Sequence, residues 1–86
     1  MGKDKKEIEF LILLGARIAQ IRKERKIKQI ELAAYCEIER QNLRRIEAGL
    51  TNPTALTLRK IAEGIGVPPS ELWNFDTGGK AKTKKS

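Results

Sequence analysis

Histidine is absent from this chain of 86 residues, and cysteine occurs once, at Cys36. No zinc-finger ligand set can be built without histidine, and a lone cysteine closes no internal disulfide. Valine also occurs once, and no segment sustains the period-2 alternation of a half-buried strand. The longest uncharged apolar run, residues 10–16, has seven residues, far short of the ~20 that span a bilayer. The first residues are charged, with no signal-peptide core, and Lys6 stands where a myristoylation signal wants Ser or Thr. Glycine-rich phosphate loops and carboxylate pairs in a pocket-forming context are missing too, so an enzyme is not expected, nor any cofactor or metal. These absences lead to an expectation of a reduced, soluble, cytoplasmic protein that touches no membrane.

What the chain has in excess is positive charge. Eighteen Lys and Arg face eleven Asp and Glu, a net charge of +7. Such a balance points to a polyanionic partner. The length suits one small domain. Its core can be only modest, and oligomerisation is a common supplement at this size. Lys80, Lys82, Lys84 and Lys85 follow Gly78-Gly79 and hold four of those charges. Residues 77–86 therefore read as a basic, disordered C-terminal tail, and residues 1–6 as a flexible N-terminal one. A basic tail clings to any polyanion, so it carries little information on function. The expected folded domain is residues 7–76.

Within it, helical periodicity recurs. Phe10, Leu14, Ile18 and Ile21 form one stripe, which predicts a long amphipathic helix over 7–25. Shorter helices follow over 29–35 and 40–47, anchored inward by Leu32 with Ala33 and by Leu43 with Ile46. Gly49 stops the third, and Asn52-Pro53 marks a turn. Thr54 suits an N-cap for a fourth helix, with Leu58, Ile61, Ala62 and Ile65 inward. After Gly66-Val67-Pro68-Pro69, Ser70 is expected to cap a last short helix carrying Leu72, Trp73 and Phe75. The expected class is all-α, with five helices.

The informative stretch is 29–49, QIELAAYCEIERQNLRRIEAG. Leu32 and Cys36 share one helix face and Leu43 and Ile46 another, with Ile38 plugging the corner between them. Ala33 is small because the next helix crosses close over it. The pattern describes two short helices packed through a tight turn, a helix-turn-helix. The outward face of the second carries Arg40, Gln41, Arg44 and Arg45, with Asn42 beside them. Arg bonds guanine bidentately, and Gln and Asn bond adenine. A solvated polar face on an ordinary surface helix is the bland alternative.

The ordered series LGARIAQIRKERKIKQ, QIELA, NLRRIEAG, NPTALTLRKIAEGIGV and SELW resembles the lambda-repressor/Cro-like helix-turn-helix proteins, often called the XRE family, over about residues 14–72. The resemblance implies a five-helix domain that binds DNA sequence-specifically as a homodimer and regulates transcription. It also implies roles for single residues. Gln29 would hold a phosphate and brace the recognition helix, with Lys28 beside it. Arg40 and Gln41, then Arg44 and Arg45 one turn later, would read bases. Asn42 would meet the backbone, and Asn52 lies in the loop that follows the phosphates. Arg22 and Glu47 would form a structural ion pair.

Some positions depart from that pattern. Glu37 fills a slot where a positive φ is often adopted and glycine is cheaper by ~1 kcal/mol. Lys28 and Glu39 are poor N-caps, and Gly64 replaces a usual Ala and should weaken the fourth helix. Glu39 would either accept a cytosine amino group or be a solvated residue offset by Arg40 or Arg44. Cys36 reads as packing, with a reactive thiol as the alternative. Arg17, Arg22, Lys23, Arg25, Lys26 and Lys28 form either a solvated face or a phosphate-facing one. Ile8 and Ile12 fall off the core stripe, which points either to loose N-terminal packing or to a dimer patch shared with Leu72, Trp73 and Phe75. Double-stranded DNA and a second copy are the expected partners. The alternative reading is an antitoxin-like interaction subunit with autoregulatory DNA binding, its partner protein a toxin; a polymerase subunit is the other candidate protein partner.

Overall fold

The computed structural model describes residues 4–76. Residues 1–3 and the basic segment 77–86, on which the expectation of disorder falls, lie outside the described residues. Four α-helices follow one another, α1 (Lys5–Glu24), α2 (Gln29–Cys36), α3 (Arg40–Glu47) and α4 (Ala55–Ile65). No strand occurs among the described residues.

Two boundaries correct the sequence reading. Asp4 caps α1, its Oδ1 accepting the Glu7 amide at 2.9 Å, so Lys5 and Lys6 are helical rather than part of a flexible tail. The fifth element, Pro69–Trp73, is a 3₁₀ turn and not an α-helix. Its amide bonds run from Glu71 to Pro68 and from Asn74 to Glu71. So short a segment, opened by two prolines, cannot repay α-helix nucleation. Pro68, not Ser70, sits at its N-cap.

All four helices end in one device. Lys26, Glu37, Gly49 and Gly66 adopt left-handed φ of 60°, 58°, 77° and 93°. The next amide then reaches back five residues, from Ile27 to Arg22, Ile38 to Ala33, Leu50 to Arg45 and Val67 to Ala62. This back-bonding satisfies orphan carbonyls and turns the chain sharply. Glu37 thus takes the positive φ expected of it. Ile27, Ile38 and Val67 then pack against the core, whereas Leu50 stays 72 % exposed.

The core joins Leu14, Ile18 and Ile21 of α1 to Leu32, Ala33 and Cys36, then to Leu43 and Ile46, and finally to Ile61, Ala62, Ile65 and Leu72. Phe10 and Leu58, expected inside, are only partly buried and pack on its edge, while Leu11, outside the expected stripe, is buried. Two helix crossings need glycine. A Cβ on Gly15 would strike the Ile46 carbonyl oxygen and lie 2.6 Å from that of Glu47; Gly15 therefore lets α3 lie against α1. Gly64 corrects the expectation of a mere weak point, because a Cβ there would meet Leu32 at 2.6 Å and Tyr35 at 3.0 Å. Its lower helix propensity is exchanged for close α2–α4 packing.

Candidate nucleic-acid interface

The interface begins with how α3 is held. Leu43 and Ile46 are 0 % and 3 % exposed and anchor one side. At the end of the helix, Glu47 ties α3 to both α1 and α2. Arg22 Nε donates to Glu47 Oε2 at 2.7 Å and its Nη2 to Oε1 at 3.0 Å, while Nη1 bonds the Ile27 carbonyl at 2.8 Å. Gln29 Nε2 donates to Glu47 Oε1 at 2.8 Å. Both charged side chains of the pair are under a tenth exposed. A buried, bidentate, fully bonded pair repays its desolvation only through such geometry. The expected Arg22–Glu47 pair is therefore in place, and Gln29 braces α3 through it.

The opposite side of α3 has the reverse character. Arg40, Gln41, Asn42, Arg44 and Arg45 are all exposed. Among the described residues, the Arg40 and Arg45 guanidinium groups have no hydrogen-bond or ion-pair partner. Arg44 Nη1 donates to Gln41 Oε1 at 3.1 Å, a bond between neighbours on the face that the sequence reading did not anticipate. A shallow groove of about 490 Å³ runs along this side, lined by Glu37, Ile38, Glu39, Gln41, Asn42 and Arg45.

Other expected residues scatter. Lys28 is exposed at the start of α2, and its amide bonds the Glu31 carboxylate at 2.8 Å. Asn52 lies outside the α3 groove; it lines a separate cleft with Asp4, Lys6, Glu7, Phe10 and Leu11. The basic cluster of α1 is also thinned. Arg17 grips the Glu71 carbonyl at 3.0 Å and its carboxylate at 2.9 Å, Arg22 is buried, and Arg25 bonds the Gly66 carbonyl at 3.2 Å. Only Lys23, Lys26 and Lys28 of that cluster keep uncommitted side chains among the described residues.

The expected apolar patch does not form as one surface. Leu72 is wholly buried in the core and cannot meet a partner copy, so its place among the dimer contacts is withdrawn. Phe10 packs against Trp73 and Phe75, ring centroids 6.1 and 5.5 Å apart, while Ile12 lies against Gly49. At 3.6 residues per turn, Ile8 and Ile12 each stand ~160° around α1 from Phe10. Two separate surfaces result, exposed Ile8 with Ile12, and half-exposed Trp73. Cys36 is buried, and burial pushes its thiol above the ordinary value of 9.0, Lys60 offsetting part of this. A packing role accounts for it, since an inert buried thiol is not a nucleophile.

With this geometry in place, the likenesses to known proteins become informative. The helix-turn-helix profile HTH_3 matches residues 18–72, a span that begins inside α1 and ends inside the 3₁₀ turn. The control protein C.BamHI of Bacillus amyloliquefaciens is 33 % identical over 75 residues, covering 86 % of this chain and 93 % of that one. The immunity repressor of Bacillus phage phi105 is 38 % identical over 64 residues, or 74 % of this chain and 44 % of the repressor. The crystal structure of the restriction-modification controller C.AhdI from Aeromonas hydrophila superposes with a TM-score of 0.70 at 26 % identity, covering 72 % of this chain and 94 % of that one. The chain belongs to the helix-turn-helix family defined by that profile. Within the family it is a sequence-specific DNA-binding regulator of transcription, similar over most of its length to small controller proteins.

Proposed function

We propose that the protein acts in the cytoplasm as a homodimer of the controller or repressor type and reads an inverted-repeat operator through α3. The observation that carries this reading is the pair of unpartnered guanidinium groups, Arg40 and Arg45, on a helix whose other side is fixed by the Arg22–Glu47–Gln29 seam. A rigid helix presenting free donors suits the major groove, where base edges offer acceptors. Two copies would place their α3 helices ~34 Å apart, one turn of the duplex. Lys28, Gln29 and Asn42 then supply phosphate contacts that set register, while Arg40, Gln41 and Arg45 select sequence. Asn52 is left to the outer phosphates.

Two of the exposed apolar surfaces, Ile8 with Ile12 and Trp73, are the candidates for contact with the second copy. Ile12→Glu and Trp73→Glu test them separately by sedimentation. The variant that turns a dimer into a monomer identifies the interface; a wild-type protein that sediments as a monomer with and without operator DNA removes the dimer. Similarity to a controller and an immunity repressor favours this reading over the antitoxin-like one. Selection of bound DNA from a random pool is the direct test: recovery of an inverted repeat is expected, and recovery of unrelated sequences would overturn the proposal.

A further inference from the structure

The Gln41–Arg44 bond changes what α3 can recognise. A glutamine reads adenine with two bonds at once, its carbonyl accepting from N6 and its amide donating to N7. Here the carbonyl Oε1 already accepts from Arg44 Nη1 at 3.1 Å. A second lone pair remains, but a guanidinium cation beside it repels the partly positive adenine amino group. The Nε2 amide is left as a donor with no partner among the described residues. Gln41 thus joins Arg40 and Arg45, whose guanidinium groups are donor-only and uncommitted among the described residues.

Guanine is the base whose major-groove edge presents two acceptors, N7 and O6. Its partner, cytosine, presents the N4 amino donor. The α3 groove carries a matching acceptor in Glu39, whose carboxylate makes no helix-capping bond and has no ion-pair partner among the described residues. Glu39 lines the same groove as Gln41 and Arg45. A carboxylate left free beside DNA phosphates would be repelled; one aimed at a cytosine amino group is bonded.

We infer that the operator half-site is built around adjacent G·C pairs, with Arg40, Gln41 and Arg45 donating to guanine acceptors and Glu39 accepting from a paired cytosine. Arg44 is then a positioning residue that fixes Gln41 as a donor, and not itself a base reader. This inference rests on the reading of α3 as the recognition helix.

The test is random-pool selection with the full chain, its Arg44→Met and Arg44→Lys variants, and Glu39→Gln. Wild-type protein is expected to recover half-sites with at least two adjacent G·C pairs. Replacing those guanines by 7-deazaguanine, which lacks the N7 acceptor but keeps O6, should weaken binding by roughly 2- to 12-fold per lost bond. Arg44→Met should move one position of each half-site from guanine toward adenine, and Arg44→Lys, still a donor, should restore guanine. Glu39→Gln should relax the preference for cytosine. Enriched half-sites of A·T pairs alone would overturn the inference and leave the regulator reading standing. No enriched sequence would overturn that reading as well. An unchanged preference in Arg44→Met would remove the positioning role. Arg44 is exposed, so a folding defect in its variants is not expected, and circular dichroism checks this.

Discussion

The two sides of α3 use the same chemical vocabulary to opposite ends. On one, Arg22 and Glu47 are both buried and every guanidinium nitrogen of Arg22 is bonded. On the other, Arg40 and Arg45 stand in solvent with no partner among the described residues. Charge that folds a protein is satisfied within it, while charge that recognises a ligand is left unsatisfied until the ligand arrives. Eight residues of helix carry both satisfied and unsatisfied charge, so the proposed division of roles can be tested side by side.

The largest effect belongs to the inner side. Glu47→Ala strands the Arg22 charge in a buried site and deprives Gln29 of its acceptor. Removing one partner of a buried pair costs about 3–5 kcal/mol, which for a domain this small approaches its whole stability. Urea denaturation should show it, and a change below about 1 kcal/mol would refute a structural role for the seam. Gly15→Ala comes next, at about 1–3 kcal/mol, because its methyl group overpacks against backbone carbonyls that cannot rotate away.

Arg45→Ala inverts the pattern. Stability should stay within ~0.5 kcal/mol of wild type, as for other exposed substitutions. Binding to the selected operator should weaken by about 1–3 kcal/mol, with preference relaxed at one base pair. Equal losses on operator and random DNA, measured at one salt concentration, would make Arg45 a phosphate contact instead.

The inner side is more legible in sequence than the outer. Leu43 and Ile46 announce themselves by spacing, and Arg22 and Glu47 pair through a family resemblance. Helix periodicity likewise locates α1 to α4, and Thr54 caps α4 as expected, accepting the Thr57 amide at 3.1 Å. Side-chain commitments across long separations are not legible. Nothing in the sequence shows that Arg17 is spent on Glu71, 54 residues away, or that Gly64 faces Leu32 and Tyr35. The split apolar patch fails for a related reason. Periodicity says that Ile8 and Ile12 leave the core stripe, but only the packing of Phe10 against Trp73 tells which way the C-terminal turn approaches α1. The Gln41–Arg44 bond follows i, i+3 spacing, so a signal exists there, although residue type alone suggests two independent base readers.

Glu37→Gly probes the turn that joins the two helices. Glycine removes the Cβ strain of φ 58° but gives the unfolded chain more freedom, so the net gain is about 0.5–1 kcal/mol. The substitution also removes the ion pair of Glu37 with Lys60, which is exposed, 3.8 Å long and worth little. Thermal unfolding should show a modest rise; a fall would mean that the glutamate side chain has a part in the turn.

The smallest effect is a pH dependence that begins behind this turn, at Cys36. Its folded thiol titrates above the ordinary 9.0, chiefly through burial. On raising the pH, the unfolded chain therefore loses this proton first. In the window above about pH 8.5 the unfolded state binds fewer protons than the native one, and stability falls as pH rises. Below that window both states keep the proton and the thiol contributes no slope. Cys36→Ala removes the titration while retaining a small apolar side chain. Between about pH 8 and 10 the wild-type protein should lose stability more steeply than the variant, whereas lysine titration, common to both, cancels in the difference. Parallel curves in urea denaturation would show that the thiolate finds water, or Lys60, without the core opening.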